Sequence, residues 1–214
     1  MSPFYVVTDV EFDGPLPGTH SMLAFASVAM SATGIILGEF EAVLEPLDGA
    51  IKDKRTMAFW QAHPQAWLAS TLNPQPPETM MHNFVNWVSS FDGEPIFAAH
   101  PVALDGPWLD YYLKRFTGRP LYEGPWIPDR LFQHAPLCLM SLVSGKTGRA
   151  HWECDVNHYP PEWLGFLEHT HRAIDDARGY AIYYAPWCWV EFFTPRRLNP
   201  VFLMHAKLFL QACG

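Results

Sequence analysis

The stretch Phe4-Tyr5-Val6-Val7-Thr8-Asp9-Val10-Glu11-Phe12-Asp13-Gly14-Pro15 sets two carboxylates directly behind an apolar run. Phe4 to Val7 is β-branched and aromatic, the composition of a buried strand. Side chains alternate across a strand, so Asp9 and Glu11 project from one face, about 7 Å apart along the backbone. Like charges placed this way repel each other. A divalent cation between them would reverse that, because hard cations take oxygen ligands. Two simpler readings compete. Acidic residues behind a strand often open a solvated turn, and Asp13-Gly14-Pro15 is turn chemistry. Asp9-x-Glu11-x-Asp13-Gly14 also imitates the start of an EF-hand loop. That loop needs a bidentate Glu where this chain has His20, and a helix in front where this chain has a strand.

A chain of 214 residues suits one domain, with or without an appendage. Apolar residues make up 49% and charged residues 17%, which favours a packed core over disorder. No stretch approaches the apolar length of a membrane span, and no basic segment followed by an apolar run opens the chain, so neither a span nor a signal peptide is expected. Cys138, Cys154, Cys188 and Cys213 stand far apart and read as reduced, mostly buried thiols of a cytoplasmic protein. The net charge of −8 is uneven: residues 1–50 hold Asp9, Glu11, Asp13, Glu39, Glu41, Glu45 and Asp48 and no Lys or Arg. Such a chain is poorly suited to gripping duplex nucleic acid through a broad basic face. It remains suited to a nucleic-acid enzyme whose bound metal ions invert the charge of its site.

Behind the Gly/Pro turn of residues 13–18, Met22–Met30 and Ile35–Leu44 are apolar runs joined by Ser31-Ala32-Thr33-Gly34, a hairpin signal. The chain therefore opens with three strands, the first three being antiparallel neighbours. Residues 53–69 have helical spacing that Pro64 divides into two short pieces. Residues 78–90 form an amphipathic pattern through Met81, Phe84, Val85 and Val88. Pro95–Ala99 is a short strand, Asp105–Phe116 a helix, and Pro136–Val143 another short helix. Thr170 is positioned to cap a helix running through Ala185. Strands followed by alternating helices and strand predict an α/β domain around a mixed sheet over residues 1–185. Residues 186–214, with Pro186, Pro195, Pro200 and the apolar run Val201–Leu210, read as a C-terminal tail of a different character.

Two further places carry carboxylates. Asp105 follows the apolar strand and His100-Pro101 and reads, alone, as a helix N-cap. In His169-Thr170-His171-Arg172-Ala173-Ile174-Asp175-Asp176, His171 precedes Asp176 by five positions. That is about 140° around a regular helix, so the two converge only if His171 lies ahead of the helix and reaches back over it. Asp175 and Asp176 taken alone are acids favoured near a helix N-terminus.

Taken together, Asp9-x-Glu11 behind a strand, Asp105 before the aromatic helix Trp108–Leu113, and His171-Arg172-Ala173-Ile174-Asp175-Asp176-Ala177 resemble the DEDDh family of 3′–5′ exonucleases. This is the ribonuclease T and DnaQ-like group of the ribonuclease H-like superfamily, and the resemblance spans roughly residues 4–185. It suggests a bacterial or phage single-domain member. One departure is His100-Pro101, in a region where the family often carries Asn. The resemblance implies a ribonuclease H-like fold and hydrolysis of phosphodiester bonds from the 3′ end of single-stranded nucleic acid, RNA or DNA. It further implies two divalent cations, Mg²⁺ or Mn²⁺, held by Asp9, Glu11, Asp105 and Asp176. Asp9 would bridge them, and His171 would be the general base. Its ordinary pKa suits that task near neutral pH.

Phe12, Met22, Phe59, Trp60, His100 and Trp108 are candidate contacts to the terminal bases, although aromatic side chains are more often core. Asp13, carried off by the turn, and Asp175, elsewhere on its helix, are expected bystanders. Two rival functions stand beside the exonuclease. One is a zinc site from His151, Cys154 and His158, with His169 or Cys138 in reserve. The other is a non-catalytic nucleic-acid-binding module on the same scaffold. A homodimer is compatible with the apolar tail.

Overall fold

The computed structural model describes residues 2–189 apart from positions 125 and 129. Its centre is a five-stranded sheet in the order β3-β2-β1-β4-β5. The strands are β1 (Pro3–Phe12), β2 (Met22–Ser31), β3 (Ile36–Val43), β4 (Glu94–Ala99) and β5 (Leu137–Cys138). β1 pairs antiparallel with β2, and β2 with β3, while β4 joins β1 in parallel and β5 joins β4 in parallel. The helices are α1 (Lys54–Ala62), α2 (Pro64–Ala69), α3 (Pro77–Ser89), α4 (Val102–Thr117), α5 (Leu139–Thr147) and α6 (Ala173–Trp189). The mixed α/β sheet and the antiparallel order of its first three strands are as the sequence predicts.

The alternation of β1 divides the core in two. Phe4, Val6 and Val10 pack with Phe84 of α3 and Trp108, Leu109 and Tyr112 of α4. Val7, on the opposite parity, packs with Ile174, Ala177 and Tyr180 of α6. Asp9 and Glu11 share the parity of Val7 and so belong to the α6 face. Because β1 is covered on both faces, its apolar part is continuous rather than alternating.

Several boundaries differ from the sequence reading, each for a local reason. The stretch 136–143 contains a two-residue strand before its helix. Leu137 and Cys138 pair with Ala98 and Ala99, a ladder too short to leave a period in the sequence. α4 starts at Val102, with Pro101 in the cap position, so Asp105 lies within the first turn rather than at the cap. α6 starts at Ala173, and Thr170 Oγ1 instead accepts the Arg172 N–H in a turn ahead of it. α6 continues to Trp189, so the expected division after residue 185 falls inside a helix. The remainder of the expected tail, 190–214, lies outside the described residues. Pro64 does divide two helices: Asp53 caps α1 through the N–H groups of Arg55 and Thr56, and Pro64 opens α2. Cys154 is buried and Cys138 partly exposed, both as free thiols. Among the described residues no helix is long and apolar enough to cross a membrane.

Asp13 fastens the exit of β1. Its carboxylate accepts the Ser21 N–H at 2.6 Å, its own N–H donates to the Ser21 carbonyl at 3.0 Å, and its carbonyl accepts the Asp53 N–H at 2.9 Å. One residue thus ties the end of β1 to the entry of β2 and to the cap of α1. Replacing Asp13 by Ala leaves the buried Ser21 N–H unsatisfied and is expected to lower the unfolding free energy by about 1–3 kcal/mol. Urea denaturation checks this. Asp13→Asn, which keeps an acceptor oxygen, is expected to lose less.

Candidate functional site

Asp9 lies one residue beyond Thr8, the last β1 residue paired with β4, at the carboxyl end of the parallel pair. Across β2, Asp9 and Glu11 stand opposite Ala26 and Ala24, side chains too small to cover them. Asp176 enters from the first turns of α6 and Asp105 from the first turn of α4. Carboxylate oxygens of Asp9, Glu11 and Asp176 all lie within 4.8 Å of one another. Asp105 is 1% exposed, and its Oδ2 has no hydrogen-bond partner among the described residues.

The electrostatics follow from this crowding. Burial raises the Asp9 pKa well above the ordinary carboxylate range, and repulsion from Glu11, Asp105 and Asp176 adds to it. Glu11 is raised for the same reasons, burial first and then Asp176 and Asp105. Burial pushes Asp105 up to about 8, against the lowering effect of the Val10 N–H. Among the described residues, no Lys or Arg forms an ion pair with any of the four. The two arginines of this region are spent elsewhere. Arg172 grips Glu41 at 3.1 Å, and Arg178 holds Glu39 at 2.6 Å and Asp175 at 3.5 Å. Converging oxygens, a buried orphan oxygen and, among the described residues, no paired Lys or Arg make a set of ligands that suits a hard divalent cation.

The segment before α6 wraps around the Asp176 side chain. Thr170 N–H donates to Oδ1 at 3.0 Å, His171 N–H donates to Oδ2 at 3.1 Å, and His169 Nδ1 lies 3.0 Å from Oδ2. His171 adopts φ +56°, a left-handed conformation uncommon outside glycine, and so turns back over the helix start. This is how His171 and Asp176 meet despite their separation on a regular helix. The His171 ring lies 4.9 Å from Phe59, 4.9 Å from His63 and 4.4 Å from His169, edge to face. Burial and then the neighbouring His169 hold its pKa below the ordinary value, which keeps the imidazole neutral near neutral pH. Asp175 is occupied elsewhere, accepting from Thr170 Oγ1 at 3.2 Å and pairing with Arg178.

Most of the expected base contacts are core residues instead. Met22 and Trp108 are fully buried. Trp60 is buried too, and its Nε1–H donates to the Phe12 carbonyl at 2.9 Å. His100 is buried, bonds the Tyr159 hydroxyl at 2.7 Å and stacks on Tyr180; burial lowers its pKa to about 4. None of these four offers a ring or chain face to a nucleotide. Phe12 is partly exposed, stacked on Trp108 at 5.0 Å, and Phe59 is 37% exposed beside His171. The expected zinc trio is not assembled. His151 Nε2 bonds Ser141 at 3.2 Å and the Cys154 thiol donates to the Ala150 carbonyl at 3.5 Å. The metal-competent trios among the described residues are Asp9/Glu11/Asp176 and His169/His171/Asp176. His169 is the residue that sequence reasoning placed with the wrong partners. The signal that could have found it is the His-x-His spacing ahead of α6.

No protein-family model matches this chain, and no curated protein matches it. Solved structures do. A 3′-exonuclease in specific recognition of the 3′ end of a histone mRNA stem-loop superposes with a TM-score of 0.61 at 10% identity, covering 92% of this chain and 86% of that one. The nuclease domain of 3'hExo, a DEDDh family member bound to rAMP, gives 0.60 at 10% identity over 92% and 96% of the two chains. A zinc-bound complex of E. coli exonuclease I with single-stranded DNA gives 0.57 at 15% identity, covering 92% of this chain and 42% of that one. The chain thus spans less than half the length of exonuclease I. At these identities the likeness is one of fold: a ribonuclease H-like mixed sheet flanked by helices, shared with 3′-exonucleases.

Proposed function

We propose that this chain is a metal-dependent 3′–5′ exonuclease that hydrolyses phosphodiester bonds from the 3′ end of single-stranded nucleic acid. The observation that carries the reading is the convergence of Asp9, Glu11, Asp105 and Asp176 from three separate elements, with an uncharged His171 beside them. The nucleic-acid ligands of the structural neighbours, an RNA stem-loop, rAMP and single-stranded DNA, support the substrate class.

Two divalent ions, Mg²⁺ or Mn²⁺, would when bound supply an activated water and neutralise charge on the phosphoryl and leaving oxygens. Asp9, Glu11, Asp105 and Asp176 would hold them. His171 would accept the proton of the attacking water. Its ring is kept neutral for that purpose, and its backbone N–H is fastened to Asp176. The backbone of the proposed base is thus tied to a proposed metal ligand, which would help hold the two near each other. Phe59, edge-on to His171, would touch a terminal nucleotide.

A labelled oligonucleotide, RNA or DNA, incubated with Mn²⁺ and then with EDTA tests the reading. Shortening from the 3′ end in Mn²⁺ only is expected, and an intact strand in both would leave a binding module. Asp176→Asn is expected to reduce cleavage to background, whereas Asp175→Asn stays within a few-fold of the parent. Equal loss in both would contradict the assignment of Asp176. His171→Ala is expected to lower kcat by about 10²–10⁴-fold.

Removing the metal should expose the crowding of the carboxylates as a pH dependence of stability. Asp9, Glu11 and Asp105 bind protons more tightly folded than unfolded, with Asp105 at about 8. A group raised in the folded state stabilises below its unfolded pKa, and that stability is lost as pH rises through the folded value. In EDTA, Tm is therefore expected to fall between about pH 4 and pH 8. The slope should shrink in Asp105→Asn. Adding Mg²⁺ or Mn²⁺ should raise Tm more at pH 8 than at pH 5, since the ligands must be deprotonated.

A further inference from the structure

Asp176 belongs to two ligand sets of different chemistry. With Asp9 and Glu11 it makes an all-oxygen trio, and with His169 and His171 it makes a trio of two nitrogens and one oxygen, each trio within 4.8 Å. Imidazole nitrogen suits Zn²⁺, Co²⁺, Ni²⁺ and Cu²⁺, whereas Mg²⁺ prefers oxygen and water. The structure assigns the histidine trio a role outside the hydrolytic scheme: we propose that His169, His171 and Asp176 bind a borderline transition-metal ion such as Zn²⁺, and that its occupation blocks hydrolysis. The inhibitory half rests on the exonuclease reading; the binding half does not.

The geometry is near to what such an ion requires. Tetrahedral zinc with bonds of about 2.0–2.1 Å sets its ligand atoms about 3.3 Å apart. His169 Nδ1 and Asp176 Oδ2 already stand 3.0 Å apart, and the two imidazole rings meet at 4.4 Å and 72°. The three ligand atoms lie within 4.8 Å of one another. The backbone is already committed, because the N–H groups of Thr170 and His171 both donate to the Asp176 carboxylate. The His169 side chain is 22% exposed, so an ion has a route in, and three protein ligands leave a position for water.

Occupation and catalysis compete for the same atoms. An imidazole whose lone pair is given to a metal cannot take a proton from water, and an Asp176 oxygen held there is withdrawn from the carboxylate trio. First-row ions bind a given N/O site far more tightly than Mg²⁺ does, so the block would operate in excess Mg²⁺.

The test reads binding and activity separately on the full chain. Equilibrium dialysis against Zn²⁺ in excess Mg²⁺, with the visible absorption of the Co²⁺-substituted form, reports the ion directly. The parent is expected to retain about one Zn²⁺ per chain. His169→Gln and His171→Gln should each weaken retention by at least about tenfold, with circular dichroism confirming the fold. Glu11→Gln, which touches only the oxygen trio, should keep the ion. Retention lost in Glu11→Gln but kept in His169→Gln would overturn the site, as would no retention by the parent. In Mn²⁺-supported cleavage, His169→Gln should need at least about tenfold more Zn²⁺ than the parent for equal inhibition. Unchanged Zn²⁺ sensitivity in that variant would overturn the inhibitory half. A chain that binds Zn²⁺ in the expected pattern yet cleaves nothing in Mn²⁺ would defeat the exonuclease reading and leave the binding site standing.

Discussion

Asp9, Asp105 and Asp176 are buried near one another, together with Glu11, in a layer between sheet and helices where each ionised carboxylate loses several kcal/mol of hydration. Ordinary proteins relieve such burial with an adjacent Lys or Arg. Here Arg172 and Arg178, which flank Asp176 in sequence, reach away to Glu41 and Glu39 on β3. The carboxylates are left to share protons or a cation. This crowding is the constraint around which the rest of the site is arranged, and with burial it drives the pKa values of Asp9, Glu11 and Asp105 upward.

The sheet makes the crowding possible. β1 is covered on both faces, so its parity decides which residues meet α3 and α4 and which meet α6. Asp9 and Glu11 fall on the α6 side only because the strand remains regular through them, with a register shift delayed until Glu11 and Phe12. α6 must then present Asp176 at one rotation about its axis. Surface ion pairs contribute little energy individually. Burial of Ile174, Ala177 and Tyr180 against Val7, Ala26 and Val28 sets that rotation, and Arg172 and Arg178 reach the alternate glutamates Glu41 and Glu39 of β3 at its rim.

How much of this could be read from the sequence depends on the range of the interaction that decides each element. The hairpin Met22–Val43 and the break at Pro64 were legible because turn and proline chemistry are local. The pair Asp9 and Glu11 was legible because a period of two is stated within the strand itself. Asp105 was ambiguous: a carboxylate near a helix start is usually a cap, and only its burial distinguishes it. The two-residue strand Leu137–Cys138 exists by virtue of β4 and leaves no local trace. The aromatic candidates failed most, since Trp60 and Trp108 satisfy the same pattern whether they face a nucleotide or the core. Their partners, a carbonyl of β1 and the ring of Phe12, are remote in sequence.

The segment 169–171 shows why one carboxylate can serve two chemistries. Two backbone N–H groups fix Asp176 while leaving its oxygens capacity for further partners, since each carboxylate oxygen has two acceptor sites. On one side those partners are carboxylates, which favour a hard ion. On the other they are imidazoles, which favour a softer one. The left-handed turn at His171 that carries the proposed base back over the helix also carries its ring against His169. A chain that brings a histidine to a carboxylate in this way, with another histidine two residues earlier, creates a nitrogen-rich site as a geometric consequence of positioning its base. Sensitivity to transition metals would then be inherent in the backbone solution rather than a separate device added to it.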